Sequence, residues 1–413
     1  MVRFHHAKPG LGKIAAICFL LTVLIMQISC STPGQRQYDP REVDFTVQFN
    51  PFFDQQLYSS IILATLDNDI PTFSVSVTAP NDGAVLRVTI DSSSVNYVTY
   101  LQEVLPHKGE TYTFNATPKW KYDILQQMRR SNAVDFTFAC YINDQPVDVK
   151  NLRLQCRTIN ECPLSLMHNG KTIDLRPLFA AYVNEDHPQI EHILTDIIDQ
   201  GLATRFSGYQ HGPQNVDDQV FAVWQYALRR GITYSSISCT SNPSSTSNVQ
   251  HIRLFDEVWN TRQANCIDAC VFFASILRKI GIRVVIFVDP CHAYLGYYTD
   301  KRQRQLRTVE TTITSWVNLP ELQRSLDADG RLPEEKFNKI SKYLSPAEIQ
   351  RWNEGKMTFD QLQTAIARSL FEKAKAYNTE NYEANKSNYA DTNVIGYQQL
   401  DIELLRNKVQ PIR

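Results

Sequence analysis

The sequence predicts an α+β protein in which a β-rich region comes before a region that mixes helices and strands. Residues 43–162 contain short segments in which apolar and polar residues alternate, as in strands that bury one face. In residues 163–413 the apolar residues mostly recur every three or four positions, as on amphipathic helices, but three strand-like segments lie within 282–312. We therefore expect a β-sandwich followed by a domain in which a helix packs on an antiparallel sheet.

The composition limits the classes of function. The 413 residues include 42 lysines and arginines and 43 aspartates and glutamates, which gives a net charge of −1. A nucleic-acid-binding protein normally has a basic excess, so we expect no nucleic-acid partner. Hydrophobic residues make up 43% of the chain and aromatic residues 11%, which is enough for packed cores.

The N-terminus has the pattern of an export signal. Basic residues up to Lys13 precede an apolar run over residues 14–28, and Ser29-Cys30 follows. This arrangement predicts a signal peptide over residues 1–29. Because Ser-Cys resembles the end of a bacterial lipoprotein signal, we expect Cys30 to carry a lipid. A plain cleaved signal and an uncleaved anchor are the alternatives. The polar residues 30–42 would then be a tether to the first domain.

Residues 43–162 predict the β-sandwich. The stretch SVSVTAPNDGAVLRVTI, residues 74–90, has two alternating segments around a Pro-Asn-Asp-Gly turn. Two later segments, DFTFACYI and NLRLQC, alternate in the same way. Cys140 and Cys156 fall on the apolar sides of these segments, so we expect them to be buried, either as a packed pair or as a disulfide.

Residues 163–413 predict the second domain, with helices at both ends. Helical spacing of apolar residues indicates helices around Ile193 and Trp224, the second of which ends at Gly231. After the central strands, a capping box at Ser345 begins a helical C-terminal extension.

A polar stretch, TSNPSSTSN, precedes the segment that carries the candidate chemistry. It covers residues 240–248 and contains no apolar residue. This composition predicts a solvated loop, and a mobile lid over a site is the alternative interpretation.

The stretch QANCIDACVFFASILRKIG, residues 263–281, predicts a helix that begins at or near Cys266. Asn265 is a favourable N-cap residue, and Asp268 supplies an acid in the first turn, where we expect it to cap the helix rather than to act in catalysis. The helix dipole and the free backbone N–H groups at this end favour a thiolate and can stabilise an oxyanion. Cys266 is therefore a candidate nucleophile, although a cysteine near a helix start is also a common core residue.

Two further residues follow Cys266 in the order that a thiol catalyst needs. Residues 282–288 form a continuous apolar run typical of a buried strand, and HAYLGYY predicts a second strand that opens with His292. RTVETT, residues 307–312, predicts a third strand that contains Glu310. Adjacent antiparallel strands would hold His292 beside Glu310, so that the imidazole serves the thiol as a base and the carboxylate orients the imidazole.

The stretch NCIDACVFFASILRKIGIRVVIFVDPCHAYLGYY, with VETT after it, resembles the core of the transglutaminase-like superfamily, a papain-related α+β cysteine fold. The resemblance covers about residues 215–315 and includes VWQYALRRGITYSSI upstream. It implies Cys266 as nucleophile, His292 as base and Glu310 as the orienting acid, where the superfamily usually has aspartate. More loosely, the mature chain resembles secreted bacterial proteins that place a β-sandwich, expected here to be immunoglobulin-like, before such a core.

Other roles for these cysteines stay open at this point. Cys266 and Cys270 are one helical turn apart and could bind zinc with Cys291 and His292, but neighbouring strand residues point to opposite faces, which disfavours such a site. Cys270 and Cys291 could instead form a disulfide. We therefore expect no metal and no other cofactor.

The expected function is amide chemistry in the cell envelope. Cys266 would attack a peptide or protein substrate, of which a cell-wall peptide is one example, and water or an amine would resolve the thioester. Hydrolysis would make the protein a peptidase or amidase, and transfer would make it an acyl transferase. The lipid anchor would hold it on the periplasmic face of the outer membrane or at the cell surface. The alternative is a catalytically silent binding or assembly lipoprotein on the same scaffold.

Overall fold

The computed structural model of the protein describes residues 38–412, except for 51–52, 54, 66–71, 169–170, 237–239, 242–246, 392–393 and 395. The expected signal peptide, Cys30 and the first part of the expected tether lie outside the described residues. The rest of that tether is folded. A 3-10 helix spans Pro40–Glu42, and the hydroxyl of the buried Tyr38 donates to the Ile142 carbonyl oxygen at 3.0 Å. Residues 38–42 therefore belong to the first folded region, because the Tyr38 ring is part of its core.

The fold class is α+β, as predicted, and strands dominate the first region. Its elements are β1 (Phe45–Phe49), β2 (Gln56–Tyr58), α1 (Ser59–Ala64), β3 (Phe73–Thr78), β4 (Ala84–Ile90), β5 (Asn96–Tyr97), β6 (Thr99–Leu105), β7 (Thr111–Ala116), β8 (Lys119–Trp120), α2 (Tyr122–Gln126), β9 (Asn132–Ile142) and β10 (Gln145–Arg157). The strands form one sheet in the order β1-β3-β7 and another in the order β2-β10-β9-β4-β6, while β5 pairs with β8.

The two larger sheets of this region pack face to face through aromatic side chains. Phe73 of β3 contacts Phe136 and Phe138 of β9, with ring centroids 5.1 and 5.0 Å apart. Burial alternates along β3 and β4, as the sequence pattern predicted. The two strands around the Pro-Asn-Asp-Gly turn nevertheless belong to different sheets. The turn passes the chain from one sheet to the other, which the local pattern alone does not distinguish from a hairpin.

Cys140 and Cys156 are buried, as expected, but both are free, so the disulfide hypothesis is wrong. In the ladder between β9 and β10, Cys140 lies opposite Asp148, and Cys156 lies opposite Asn132. The two thiols are therefore separated by the span from residue 148 to residue 156 of β10, roughly 26 Å at the usual rise per residue. Burial raises the pKa of Cys140 to about 12 and that of Cys156 to about 11, so both stay protonated.

The second region mixes helices with short sheets. Its strands are β11 (Glu161–His168), β12 (Lys171–Asp174), β13 (Thr233–Tyr234), β14 (Thr240–Ser241), β15 (Ser247–His251), β16 (Gln263–Ala264), β17 (Val284–Val288), β18 (Ala293–Tyr298), β19 (Leu306–Val309) and β20 (Gln398–Asp401). Its α-helices are α3 (Pro188–Asp199), α4 (Pro213–Arg230), α5 (Phe255–Thr261), α6 (Cys266–Lys279), α7 (Leu319–Arg324), α8 (Glu334–Ser341), α9 (Pro346–Asn353), α10 (Phe359–Ala390) and α11 (Ile402–Leu405), and 3-10 helices span Arg176–Tyr182 and Thr311–Ser315. Helix α4 ends, as predicted, at Gly231, which is left-handed with φ of 81°. None of the helices in the described part of the chain is both long enough and apolar enough to cross a bilayer.

The boundary expected between residues 162 and 163 falls inside strand β11. This strand pairs with β12 and β15, both in the second region. Strand β14 covers Thr240–Ser241 and β15 begins at Ser247, so both ends of the stretch 240–248 are strand instead of loop. Residues 242–246, to which the lid hypothesis refers, lie outside the described residues.

An antiparallel sheet in the order β19-β18-β17-β20 carries the strands that position the candidate site. Helix α6 packs on β17 and β18, and every residue of β17 is buried. The C-terminal part of the chain adds two elements that the sequence placed outside the core: β20 pairs with β17, and α10 packs along β19. The core that holds the site therefore extends beyond residue 315 to residue 401.

Candidate active site

Cys266 is the first residue of α6, and Asn265 and Asp268 cap this helix. The Asn265 side chain accepts a hydrogen bond from the Asp268 backbone N–H at 2.8 Å, and the Asp268 carboxylate accepts one from the Asn265 N–H at 2.9 Å. This reciprocal capping box fixes the helix start that the sequence predicted. The Cys266 side chain is partly exposed and lies at the end of the helix where backbone N–H groups lack helical acceptors.

Asp268 is occupied by structural hydrogen bonds. It is fully buried, and its carboxylate accepts bonds from Arg253, from Nη1 at 2.7 Å and from the backbone N–H at 2.8 Å. Burial raises the pKa of Asp268, and the bonds from Asn265 and Arg253 oppose that rise. The capping role expected for Asp268 is therefore confirmed, and it extends to anchoring the chain before α5.

His292 lies at the turn between β17 and β18. The Asp289 N–H donates to the His292 carbonyl oxygen at 2.9 Å, and the Asp289 carboxylate accepts a bond from the Cys291 N–H at 2.9 Å, which closes the turn. The imidazole Nε2 donates to Oε2 of Glu310 at 2.7 Å. The Cys266 side chain lies near this imidazole, and both residues line the same cleft.

The groups around His292 favour its protonated form. Burial lowers the pKa of His292, but the hydrogen bonds and negative charges of Cys266 and Glu310 outweigh burial and raise this pKa to about 10. A protonated imidazole beside a cysteine, held by a carboxylate, is an arrangement that cysteine nucleophiles use. The same imidazolium holds a proton that a leaving group can take.

Glu310 follows β19 and is not part of the strand, so the expectation that a strand contains it is wrong. It is the N-cap of the 3-10 helix Thr311–Ser315, because its Oε1 accepts bonds from the Thr312 N–H at 3.0 Å and from the Thr312 hydroxyl at 2.6 Å. Oε2 accepts bonds from His292 and from Nδ2 of Asn378, the latter at 3.0 Å. Burial raises the pKa of this carboxyl, but the bonds from His292 and Thr312 lower it below its usual value.

The thiol and the imidazole open onto a cleft of about 290 Å³. Its lining combines the two candidates with polar side chains from β12, from β15 and from the turn before β18. Besides His292, the lining residues with charged or amide side chains are Asp174, Arg176, Asn248, Gln250 and Asp289. Apolar side chains such as Leu164, Phe179 and Val288 also line the cleft, and Arg176 forms an ion pair with Asp174. Apolar walls with a few polar groups that fix orientation are typical of ligand-binding clefts.

The remaining described cysteines are free. Cys270 is buried one turn after Cys266, with its thiol 3.9 Å from the Thr311 hydroxyl, and burial raises its pKa well above the usual value. Cys291 is exposed at the cleft. The disulfide hypothesis for Cys270 and Cys291 is wrong, because one thiol lies in the core and the other at the surface. Cys239 lies outside the described residues. Within the described ranges, no group of three or more His, Cys, Asp or Glu residues is arranged to hold a metal ion.

Asn378 is a site residue that sequence reasoning missed. It lies on α10, is fully buried and donates to Glu310. A signal was present in the sequence, because Asn378 follows Leu370 and Ala374 at intervals of four residues along the buried stripe of this helix. A polar residue on such a stripe needs a buried partner.

Tyr234 is a second neighbour without a predicted role. Strand β13, which contains it, pairs with β16 directly before Cys266. The Tyr234 side chain is 43% exposed, and partial burial together with the charges of Cys266 and Glu310 raises its pKa. It lies within the upstream stretch that resembles the superfamily, but nothing in the local pattern indicated that it lies near the site.

The structure brings Cys266 and His292 to one cleft and joins His292 to Glu310 by a hydrogen bond. A scan against models of known protein families found no match, and a search of curated proteins found none either. We therefore infer the chemistry of the site from its hydrogen bonds, its charges and its cleft.

Proposed function

We propose that the protein is a cysteine-dependent amide hydrolase or acyl transferase. The observation that carries this proposal is that Cys266, at a helix start, lines the same cleft as His292, whose imidazole is hydrogen-bonded to Glu310. A nucleophile near a base that an acid orients is what covalent catalysis by a cysteine needs. A cysteine that only packs in the core, such as Cys270, does not need a base and an acid beside it.

In the proposed reaction the Cys266 thiolate attacks an amide carbonyl carbon, and the carbonyl π electrons move onto oxygen. Backbone N–H groups at the start of α6 are placed to bind that oxyanion. His292 then gives its proton to the amine as the carbon–nitrogen bond breaks, which leaves a thioester on Cys266. Water or a second amine attacks the thioester while neutral His292 takes the proton of the attacking group. Release of the thiolate restores the starting ion pair.

The arrangement of elements supports a transglutaminase-like, papain-related core. Cys266 begins a helix that packs on an antiparallel sheet, His292 leads into one strand of that sheet, and Glu310 follows the next strand. This is the order of elements that the resemblance implies, with His292 just before and Glu310 just after the strands expected to contain them. The two facing sheets of the first region support an immunoglobulin-like sandwich as the preceding domain.

We place the protein in the cell envelope on the strength of residues 1–29 and Cys30. A lipid on Cys30 would hold the cleft near a membrane, on the periplasmic face of the outer membrane or at the cell surface. The substrates would then be peptides or proteins of that compartment, with cell-wall peptides among them.

The proposal is tested by trapping the thioester. The full-length protein is mixed with a library of peptide p-nitrophenyl esters, quenched with acid and mapped by mass spectrometry. We expect the acyl group on Cys266 well before it appears on Cys291, which is exposed and serves as the reference thiol in the same molecule. Acylation of both cysteines at the same rate would sink the enzymatic proposal.

A binding or assembly role is the second candidate, and exposed aromatic residues favour it. Tyr97, Tyr100 and Tyr122 of the first region are 47%, 67% and 46% exposed. Contiguous exposed aromatic side chains are typical of recognition sites, and these three lie close along the chain. A folded protein in which Cys266 shows no preference over Cys291 would favour this role over catalysis.

A further inference from the structure

The C-terminal helix α10 contacts the acid of the site. Asn378 is 0% exposed, and its Nδ2 donates to Oε2 of Glu310 at 3.0 Å. One turn earlier, the Ala374 carbonyl oxygen accepts a hydrogen bond from the Glu310 backbone N–H at 3.1 Å. The helix therefore holds both the main chain and the side chain of Glu310.

The bond from Asn378 falls on the same carboxylate oxygen that accepts the His292 Nε2–H at 2.7 Å. The other oxygen is held by Thr312. Glutamate has one more rotatable bond than aspartate, so more contacts are needed to keep its carboxylate in one orientation. Without Asn378, the bonds from Thr312 would leave Oε2 free to turn away from the imidazole.

Asn378 also has a feature that a purely structural residue would not keep. Its Oδ1 is buried and has no hydrogen-bond partner among the described residues. A buried polar atom without a partner destabilises a fold, so each one calls for an explanation such as a catalytic role. Leu370 and Ala374 on the same stripe are apolar and buried, so an apolar residue would fit this face of the helix.

We propose that Asn378 is a positioning residue of the active site, which holds the Glu310 carboxylate in the orientation that binds His292. The consequence for catalysis rests on the proposed function, whereas the geometry that Asn378 maintains does not. Helix α10 is then a part of the active site and more than an extension of the domain.

The charged and titratable groups that face this pair come from several elements. They are Cys266 and Cys270 on α6, Tyr234 on β13 and Tyr294 on β18. On α10, Lys375 lies one turn before Asn378 and is engaged by two carboxylates, at 3.6 and 3.0 Å. Asn378 itself is neutral at every pH, so its removal changes the geometry of the pair without changing its charge.

The test is an NMR titration of His292 in the full-length protein labelled with ¹³C at histidine Cε1. The His292 signal is assigned by its loss in His292→Ala. Asn378→Leu removes the donor and keeps a similar volume, and Asn378→Ala removes it without adding volume. Asn388→Leu is the matched control, because Asn388 lies on the same helix and its side chain donates to Asn385 at 3.2 Å. Thermal unfolding shows which variants are folded.

We expect the pKa of His292, about 10 in the wild-type protein, to fall by roughly one pH unit in the folded Asn378 variants. We expect no change in Asn388→Leu. An unchanged or raised His292 pKa in a folded Asn378 variant overturns the proposal, and so does an equal fall in the control.

The titration needs neither substrate nor a reactive thiol. Its failure is therefore distinct from a failure of the proposed function, which acylation of Cys266 reports. A folded Asn378 variant with lower stability and an intact His292 titration would assign a purely structural role to this residue.

Discussion

Two buried carboxylates flank Cys266, and their partners give them different roles. Asp268 is paired with Arg253, a guanidinium that stays charged, whereas Glu310 is paired with His292, which can give up its proton. The two carboxylates are 0% and 2% exposed, so burial is similar. Burial raises the pKa of Asp268, whereas at Glu310 the hydrogen bonds and the charge of His292 together outweigh burial and lower the pKa.

The comparison shows that burial of an acid beside a nucleophile does not identify its role. The permanent ion pair of Asp268 and Arg253 fixes the start of α6 and so places Cys266. In the pair of Glu310 and His292, the imidazole can release and take up a proton while its hydrogen bond to Glu310 stays in place. The substitutions that follow test whether Asp268 stabilises the helix start while Glu310 serves the chemistry, or whether one acid does both.

Glu310→Gln is expected to have the largest effect on chemistry. Glutamine is nearly the same size as glutamate but neutral, so it no longer favours the proton on His292. We expect the acylation rate of Cys266 to fall roughly 10²–10⁴-fold, measured by mass spectrometry with the active-ester library. The unfolding free energy should fall less than it does for Asp268→Ala. Acylation at the wild-type rate would remove Glu310 from the mechanism.

Asp268→Ala is expected to have the largest effect on stability. It leaves the Arg253 guanidinium, which is 12% exposed, without its partner and removes half of the capping box. We expect a loss of roughly 3–5 kcal/mol in unfolding free energy, measured by urea denaturation. The folded protein should still acylate Cys266 in preference to Cys291. A variant of wild-type stability that has lost this preference would reverse the roles of the two acids.

The His292–Glu310 pair should make stability depend on pH. His292 has a pKa of about 10, above the usual 6.5, so its contribution is present below pH 6.5 and is lost as the pH rises toward 10. The pKa of Glu310 is lowered, so its contribution is present above its usual value of 4.5 and is lost at lower pH. Urea denaturation across this range should show a decline above pH 6.5 that is weaker in His292→Ala. The same decline in both proteins would mean that other groups cause it.

Cys291→Ser is expected to have the smallest effect. Cys291 is exposed and takes part in the turn through its backbone N–H, which serine retains. We expect a change in unfolding free energy within about 0.5 kcal/mol and an unchanged rate of Cys266 acylation. A strong loss of acylation would show that this second thiol belongs to the mechanism.

Local patterns in the sequence predicted most of the elements near the site. The capping box at Asn265, the buried run before His292 and the left-handed end of α4 at Gly231 each depend on residues within a few positions of one another. Residues this close along the chain set the local backbone geometry. A helix cap, a helix end or a buried strand can therefore be recognised from the sequence itself. The α+β class followed from the same signals.

Long-range contacts account for what the sequence did not show. Asn378 lies 68 positions after Glu310, and β20 reaches the sheet from the C-terminal end of the chain. The assignment of β3 and β4 to different sheets also depends on distant strands. At Glu310 the local reading was wrong because the Thr312 bonds end the strand at Val309 and make Glu310 a cap.

The central claim is that His292 activates the thiol of Cys266. The most direct measurement is the rate of alkylation of each cysteine by iodoacetamide near neutral pH, in the full-length wild-type protein and in His292→Ala, with peptide mapping to separate Cys266 from Cys291. We expect Cys266 to react faster than the exposed Cys291 in the wild-type protein, and this excess to disappear in His292→Ala. Equal rates at Cys266 in the two proteins, matching the rate at Cys291, would contradict the account.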